Sequence, residues 1–211
     1  MKLQLALDML STEEALKLVK ETAEHIDIIE IGTPLIKHEG VKLIRVMREK
    51  FPDKTILVDL KTMDVGEYES NFCFEAGADI VTVLGVADID TIRGSIRSAK
   101  RYGGKVMVDL INVDDKMGRA KEILMEGDIY LGIHTGIDQQ NRGESPLAHL
   151  KELSVLNSPL FVAGGINLDN IDSIIAEKPY TVIVGGAITG SENPNLVAKT
   201  IKSKMAQGGE S

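Results

Sequence analysis

Eight short aliphatic runs recur along this chain, each followed by a longer stretch of helical character. They are "KLQLALDM" (2–9), "IDIIEIG" (26–32), "KTILVDLK" (54–61), "ADIVTVLG" (78–85), "KVMVDLIN" (105–112), "DIYLGIHT" (128–135), "PLFVAGG" (159–165) and "TVIVGGA" (181–187). Runs this short and this rich in Val, Ile and Leu read as strands buried on both faces, as in a parallel sheet. The stretches between them, such as "STEEALKLVKETAEH" and "IDTIRGSIRSAKRYG", are amphipathic. The first opens with a capping box, Ser11 or Thr12 followed by Glu14, and others stop at glycine, at Gly77 and Gly103. Eight strand–helix units in 211 residues is the count of a single-domain (β/α)8 TIM barrel. The main alternative, an open doubly wound sheet, usually carries fewer strands in such a length. The barrel is expected over 1–206, with a loose tail at 207–211.

Composition narrows the function classes. The hydrophobic content of 43% supports one substantial core, and with no Trp and only 4 Phe and 4 Tyr that core must be aliphatic. A net charge of −8 with no Lys/Arg cluster argues against nucleic acid as a partner. The lone Cys73 excludes an internal disulfide framework and reads as a small buried residue. No apolar stretch reaches the roughly 20 residues of a membrane span. The N-terminus is interrupted too early, at Asp8, for a signal peptide. A cytoplasmic protein, with no membrane partner, is the expectation.

Barrel chemistry gathers where strands end, and side chains two apart share a face. Asp8 is in step with Ala6, Glu30 with Ile28, Asp59 and Lys61 with Leu57, Asp109 with Met107, and His134 with Gly132. Five strands ending in ionisable, inward-pointing groups converge on one mouth, where unpaired charge is costly. A cation would compensate it. Carboxylates from adjacent strands, Glu30 and Asp59, supply the hard oxygens that suit Mg²⁺, with Mn²⁺ as the second possibility. No His/Cys spacing fits structural zinc. His134 is the one histidine at a strand end; His25, His38 and His149 read as surface or cap residues. Strands seven and eight end in "GGIN" (164–167) and "GGAIT" (185–189). Glycine pairs at these two places fit backbone binding of a phosphate, or else two ordinary strand-to-helix turns.

The third strand closes with "DLKTMD" (59–64). Asp-x-Lys-x-x-Asp at that place resembles the orotidine 5′-monophosphate decarboxylase superfamily, and within it the 3-hexulose-6-phosphate synthase family. The resemblance covers nearly the whole chain, through "LQLALD", "EIGTPLI", "EAGADIVTVLGVAD", "VDLINV", "HTGIDQQ", "VAGGI" and "VIVGGAITG". It implies a metal-dependent aldol condensation of formaldehyde with D-ribulose 5-phosphate through a 1,2-enediolate. Lys61, Asp64, His134 and Asp109 would be catalytic, and Glu30 and Asp59 would hold the metal. Asp8, Ala163, Gly165, Gly185 and Gly186 would bind substrate. His134 serves either as the C1 base or as the acid towards the new alkoxide. Asp64 is either an N-cap or, as the resemblance implies, reaches a neighbouring subunit's site in a homodimer with shared active sites. A separate 6-phospho-3-hexuloisomerase would take the product. The alternative within the superfamily, 3-keto-L-gulonate 6-phosphate decarboxylase, typically has Glu, Arg, Thr and Arg where this chain has Asp109, Ile137, Ala163 and Gly186. Ile137 and Thr62 also depart from the Tyr and Ile common in the synthases. A non-catalytic phosphosugar-binding barrel would keep the glycine pairs and lose part of the charged mouth.

Overall fold

The structure, a computed structural model, describes residues 1–208. Its eight strands are β1 (Lys2–Leu7), β2 (Ile28–Ile31), β3 (Thr55–Thr62), β4 (Ile80–Leu84), β5 (Lys105–Asp109), β6 (Tyr130–His134), β7 (Leu160–Ala163) and β8 (Thr181–Val184). They close into one parallel barrel in chain order. The outward face of each strand, such as Leu3, Leu5 and Leu7 on β1, is buried under the helices.

Local chemistry sets the helix limits. In the helix Thr12–Thr22, Ser11 accepts from the Glu14 backbone N–H while the Glu14 carboxylate accepts from the Ser11 N–H. Its buried residues, Ala15, Leu18, Val19 and Thr22, recur at the spacing of one helical face. The helix Ile89–Tyr102 ends at Gly103, whose φ of 71° is left-handed backbone that glycine adopts without a Cβ clash. The final helix, Pro194–Gly208, takes in the first two residues of the expected tail. Positions 209–211 lie outside the described residues. Among the described residues, no helix is long and apolar enough to cross a membrane.

Several strands stop short of the runs read from sequence. β1 pairs with β2 only as far as Leu7↔Ile31, and with β8 as far as Leu5↔Val184. Asp8 and Gly185 therefore stand just beyond the ladder, on the loops rather than the strands. Apolar composition continues past the point where backbone pairing ends.

Following the register around the barrel sorts the inward side chains into tiers contributed by alternate strands. Ile28, Ile80, Tyr130 and Thr181 form the lowest tier, and Gln4, Leu57, Met107 and Phe161 the next. Above them come Glu30, Thr82, Gly132 and Ile183, then Ala6, Asp59, Asp109 and Ala163. The apolar members of the lower tiers pack, with Ile183, Ala6 and Ala163 above them, as a separate cluster inside the barrel. Tyr130 stacks on Phe161 at 5.1 Å, and Tyr180 leans on both. A plugged floor and an ionisable rim leave one end of the barrel for chemistry.

Candidate active site

A cavity of about 690 Å³ opens at the C-terminal ends of the strands. Asp8, Glu30, Asp59, Lys61, Asp109, His134, Ala163, Gly165, Gly185 and Gly186 all line it. Ten of the eleven site residues anticipated from sequence thus meet in one place, and only Asp64 stands apart.

Lys61 is the hub. Its ammonium donates to Asp59 Oδ2 at 2.8 Å and to Asp109 Oδ2 at 2.7 Å. Burial opposes the charge, but Asp109 and Asp59 outweigh it and hold the ammonium well above its ordinary pKa. Asp109 is buried, and burial alone would raise its carboxyl. The hydrogen bond with His134 and the charge of Lys61 reverse this, leaving Asp109 well below the usual carboxylate range. Its Oδ1 accepts from the Ile111 backbone N–H at 2.9 Å, so all its bonds point inward to the protein. Asp109 thus ties Lys61, His134 and the Ile111 backbone together at the wall of the cavity.

His134 Nδ1 lies 3.0 Å from Asp109 Oδ2 and 3.4 Å from Lys61 Nζ. Lys61 already has two closer acceptors, so the Nδ1 proton belongs in the bond to Asp109 and Nε2 is left for chemistry. Burial pulls the ring down, the Asp109 carboxylate more than offsets it, and the net shift is upward.

Glu30 and Asp59 fit a divalent cation. Both are buried carboxylates, on neighbouring strands. Burial, and next the charge of Asp59, push the Glu30 carboxyl up to about 8. A divalent cation held by Glu30 and Asp59 would offset the charge that Asp59 places beside Glu30. Among the described residues no group of three or more His, Cys, Asp and Glu is placed to hold a metal ion. Asp8, at the edge of the cavity, is raised by burial and by Asp59.

Gly164 and Gly165 follow β7 with φ of 117° and 64°. A Cβ on Gly164 would lie 2.4 Å from the Thr135 carbonyl oxygen, so only glycine fits there. Gly186 opens a short helix, Gly186–Thr189, whose first N–H groups have no partner inside it.

Asp64 is exposed, and the helix Gly66–Glu75 takes Val65, not Asp64, as its N-cap. The cap reading is therefore corrected: Asp64 Oδ1 accepts from the Val65 N–H, one residue too early to cap the helix. Val65 sits at φ 48°, unusual for a β-branched residue. Cys73 is buried as expected, and burial pushes its thiol up to about 12.

Three uncharged residues were missed. Gln4 Nε2 donates to Glu30 Oε2 at 2.6 Å, and Thr82 Oγ1 donates to Asp59 Oδ1 at 2.6 Å. Thr33 Oγ1 reaches both the Asp59 carbonyl oxygen and its Oδ2. The signal was available for two of them, since Gln4 is in step with Ala6, and Thr82 with Ile80.

The chain matches the profile of the orotidine 5′-phosphate decarboxylase / HUMPS family over residues 1–201. It is 46% identical over 200 residues to a 3-hexulose-6-phosphate synthase of Methylomonas aminofaciens, covering 94% of this chain and 96% of that protein. The crystal structure of 3-hexulose-6-phosphate synthase from Salmonella typhimurium superposes with a TM-score of 0.96 at 42% identity, covering 99% of this chain and 100% of that one. A 3-keto-L-gulonate-6-phosphate decarboxylase structure from Vibrio cholerae is more distant, with a TM-score of 0.87 at 29% identity over 98% of this chain and 97% of that one. Barrel, charged mouth and near full-length similarity agree: the chain belongs to the orotidine 5′-phosphate decarboxylase / HUMPS family.

Proposed function

We propose that this chain joins formaldehyde to D-ribulose 5-phosphate, reversibly, to give D-arabino-3-hexulose 6-phosphate, the reaction of a 3-hexulose-6-phosphate synthase. The observation that carries it is the Lys61 ammonium held between two buried carboxylates beside a titratable imidazole. The 41–46% identity to synthases over nearly the full length favours condensation over the decarboxylation of the more distant relatives.

In this reading His134 Nε2 takes the C1 proton of the ketose phosphate. Lys61 stabilises the negative charge of the resulting 1,2-enediolate. C1 then bonds to the formaldehyde carbon, and the proton returns from His134 to the new alkoxide, so the same ring serves as base and then acid. Asp109 holds both Lys61 and His134. Glu30 and Asp59 would hold Mg²⁺, or Mn²⁺, which supplies polarisation of the substrate carbonyl when bound. Asp8 would meet a substrate hydroxyl, and Ala163 would give room beside it. Backbone N–H groups at Gly165, Gly185 and Gly186 would receive the phosphate.

Asp64 belongs to a second copy's site in this reading. Its neighbours Met63, Val65 and Tyr68 are all more than half exposed, an apolar surface that supports a homodimer with shared active sites. Mixing Lys61→Ala with Asp64→Ala subunits would then restore activity, because one of the two sites in each mixed dimer is intact. A cytoplasmic location accords with the lone reduced thiol. A separate 6-phospho-3-hexuloisomerase would consume the product.

The test is formaldehyde consumption with ribulose 5-phosphate, with and without EDTA. Consumption that needs both the sugar phosphate and the metal supports the reaction and the Glu30–Asp59 site together. No consumption, with CO₂ released from 3-keto-L-gulonate 6-phosphate instead, overturns it.

A further inference from the structure

The β3–β4 ladder runs regularly through Leu57↔Ile80 and Val58↔Val81, then resumes at Thr62↔Val83. Between these points three residues, Asp59, Leu60 and Lys61, stand opposite one, Thr82. A ladder cannot pair three residues with one, so this bulge frees Lys61 to turn its backbone. Lys61 takes φ 49°, a conformation that a residue with a Cβ rarely adopts.

Thr82 is 1% exposed and points into this gap. Its Oγ1 accepts from the Lys61 backbone N–H at 3.0 Å and donates to Asp59 Oδ1 at 2.6 Å. A hydroxyl has one proton and two lone pairs, so both bonds can exist at once. The left-handed turn brings the Lys61 ammonium back to Asp59 Oδ2, while Thr82 fixes the other oxygen of the same carboxylate.

We propose that Thr82 is the positioning residue of this site: its hydroxyl replaces the ladder across the bulge and sets the Asp59 carboxylate and the Lys61 backbone in one geometry. The effect on turnover rests on the function proposed above; the hydrogen bonds do not.

Three variants test it. Thr82→Val keeps the branched shape and removes the hydroxyl, Thr82→Ser keeps the hydroxyl and removes the methyl, and Ile80→Val trims the same strand lower in the barrel. Amide hydrogen exchange at Lys61 is expected to be slow in wild type and Thr82→Ser, and fast in Thr82→Val. Mn²⁺ affinity and kcat/KM are expected to fall about 10–100-fold in Thr82→Val and to stay within about threefold of wild type in Thr82→Ser. Ile80→Val should lower thermal stability alone. A Lys61 amide that exchanges freely in wild type overturns the proposal without any variant. So does a Thr82→Val protein with wild-type Mn²⁺ affinity and turnover, or a Thr82→Ser protein as impaired as Thr82→Val. Should Thr82→Val not fold, Thr82→Ala gives the same comparison. A wild-type protein that consumes no formaldehyde defeats the proposed function, and amide exchange with Mn²⁺ binding still decides on Thr82.

Discussion

The floor and the mouth of this barrel rest on the same strands and have opposite chemistry. Below lie Ile28, Ile80, Leu57, Met107 and the stacked Tyr130–Phe161 pair, side chains whose burial stabilises the fold by about 1.5–3 kcal/mol each for the larger ones. Above, Asp59, Asp109 and Lys61 are held where ions are expensive. The tier between them mixes Glu30 and Thr82 with Gly132 and Ile183. Stability thus concentrates at one end and poised charge at the other, within a few residues of each strand.

The largest break in this contrast is expected from Lys61→Ala. It leaves Asp59 and Asp109 without their shared cation, and kcat should fall about 10²–10³-fold, measured at saturating ribulose 5-phosphate. A drop of less than about tenfold would remove Lys61 from the chemistry. At the floor, Ile28→Ala should lower the unfolding free energy in urea by about 2–5 kcal/mol while leaving kcat of the folded enzyme within about threefold. A comparable loss of turnover there would mean that the two ends are not separable.

A smaller effect sharpens the comparison through pH. The folded Glu30 carboxyl titrates at about 8, against 4.5 as its ordinary value. A raised folded value favours the protonated, folded form, so the cation-free protein should lose stability as pH rises from about 4.5 to about 8 and level off above. Glu30→Gln should flatten that slope in urea melts run with EDTA. A divalent cation binds the ionised form, so it should raise Tm more at pH 8 than at pH 6. The smallest expected change is in His134. Its raised value means that its contribution to stability is present at low pH and is lost as pH rises through the folded value. Asp109→Asn removes the carboxylate responsible, and the ring proton signal of His134 should then titrate lower by NMR.

The sequence made the charged rim legible because period-two spacing is a hard geometric rule. Asp8, Glu30, Asp59, Asp109 and His134 share the inward face with Ala6, Ile28, Leu57, Met107 and Gly132. Lys61 reached the site by another route, a bulge and a left-handed turn, and nothing in "DLK" announces φ of 49° at a lysine. Gln4 and Thr82 were overlooked because neutral groups in a strand read as filler, although their partners are the two proposed metal ligands. Strand ends were drawn too long because hydrophobicity outlasts backbone pairing, as at Leu110 and Ile111 beyond the end of β5 at Asp109. Asp64 is exposed outside the cavity, beyond the strand end where period-two spacing stops applying.

Closure of the barrel also has a consequence in time. β1 pairs with β8, Lys2 against Thr181, so the first strand made waits for the last. Until β8 leaves the ribosome, both edges of the nascent sheet are open to stray pairing, and Asp8 has no Gly185 across from it. A growing chain can therefore carry nearly all of its catalytic residues without offering substrate a place to bind. Chains halted before Thr181 are expected to be cut readily by protease at concentrations that spare the finished protein, and pulse proteolysis of stalled chains would show it.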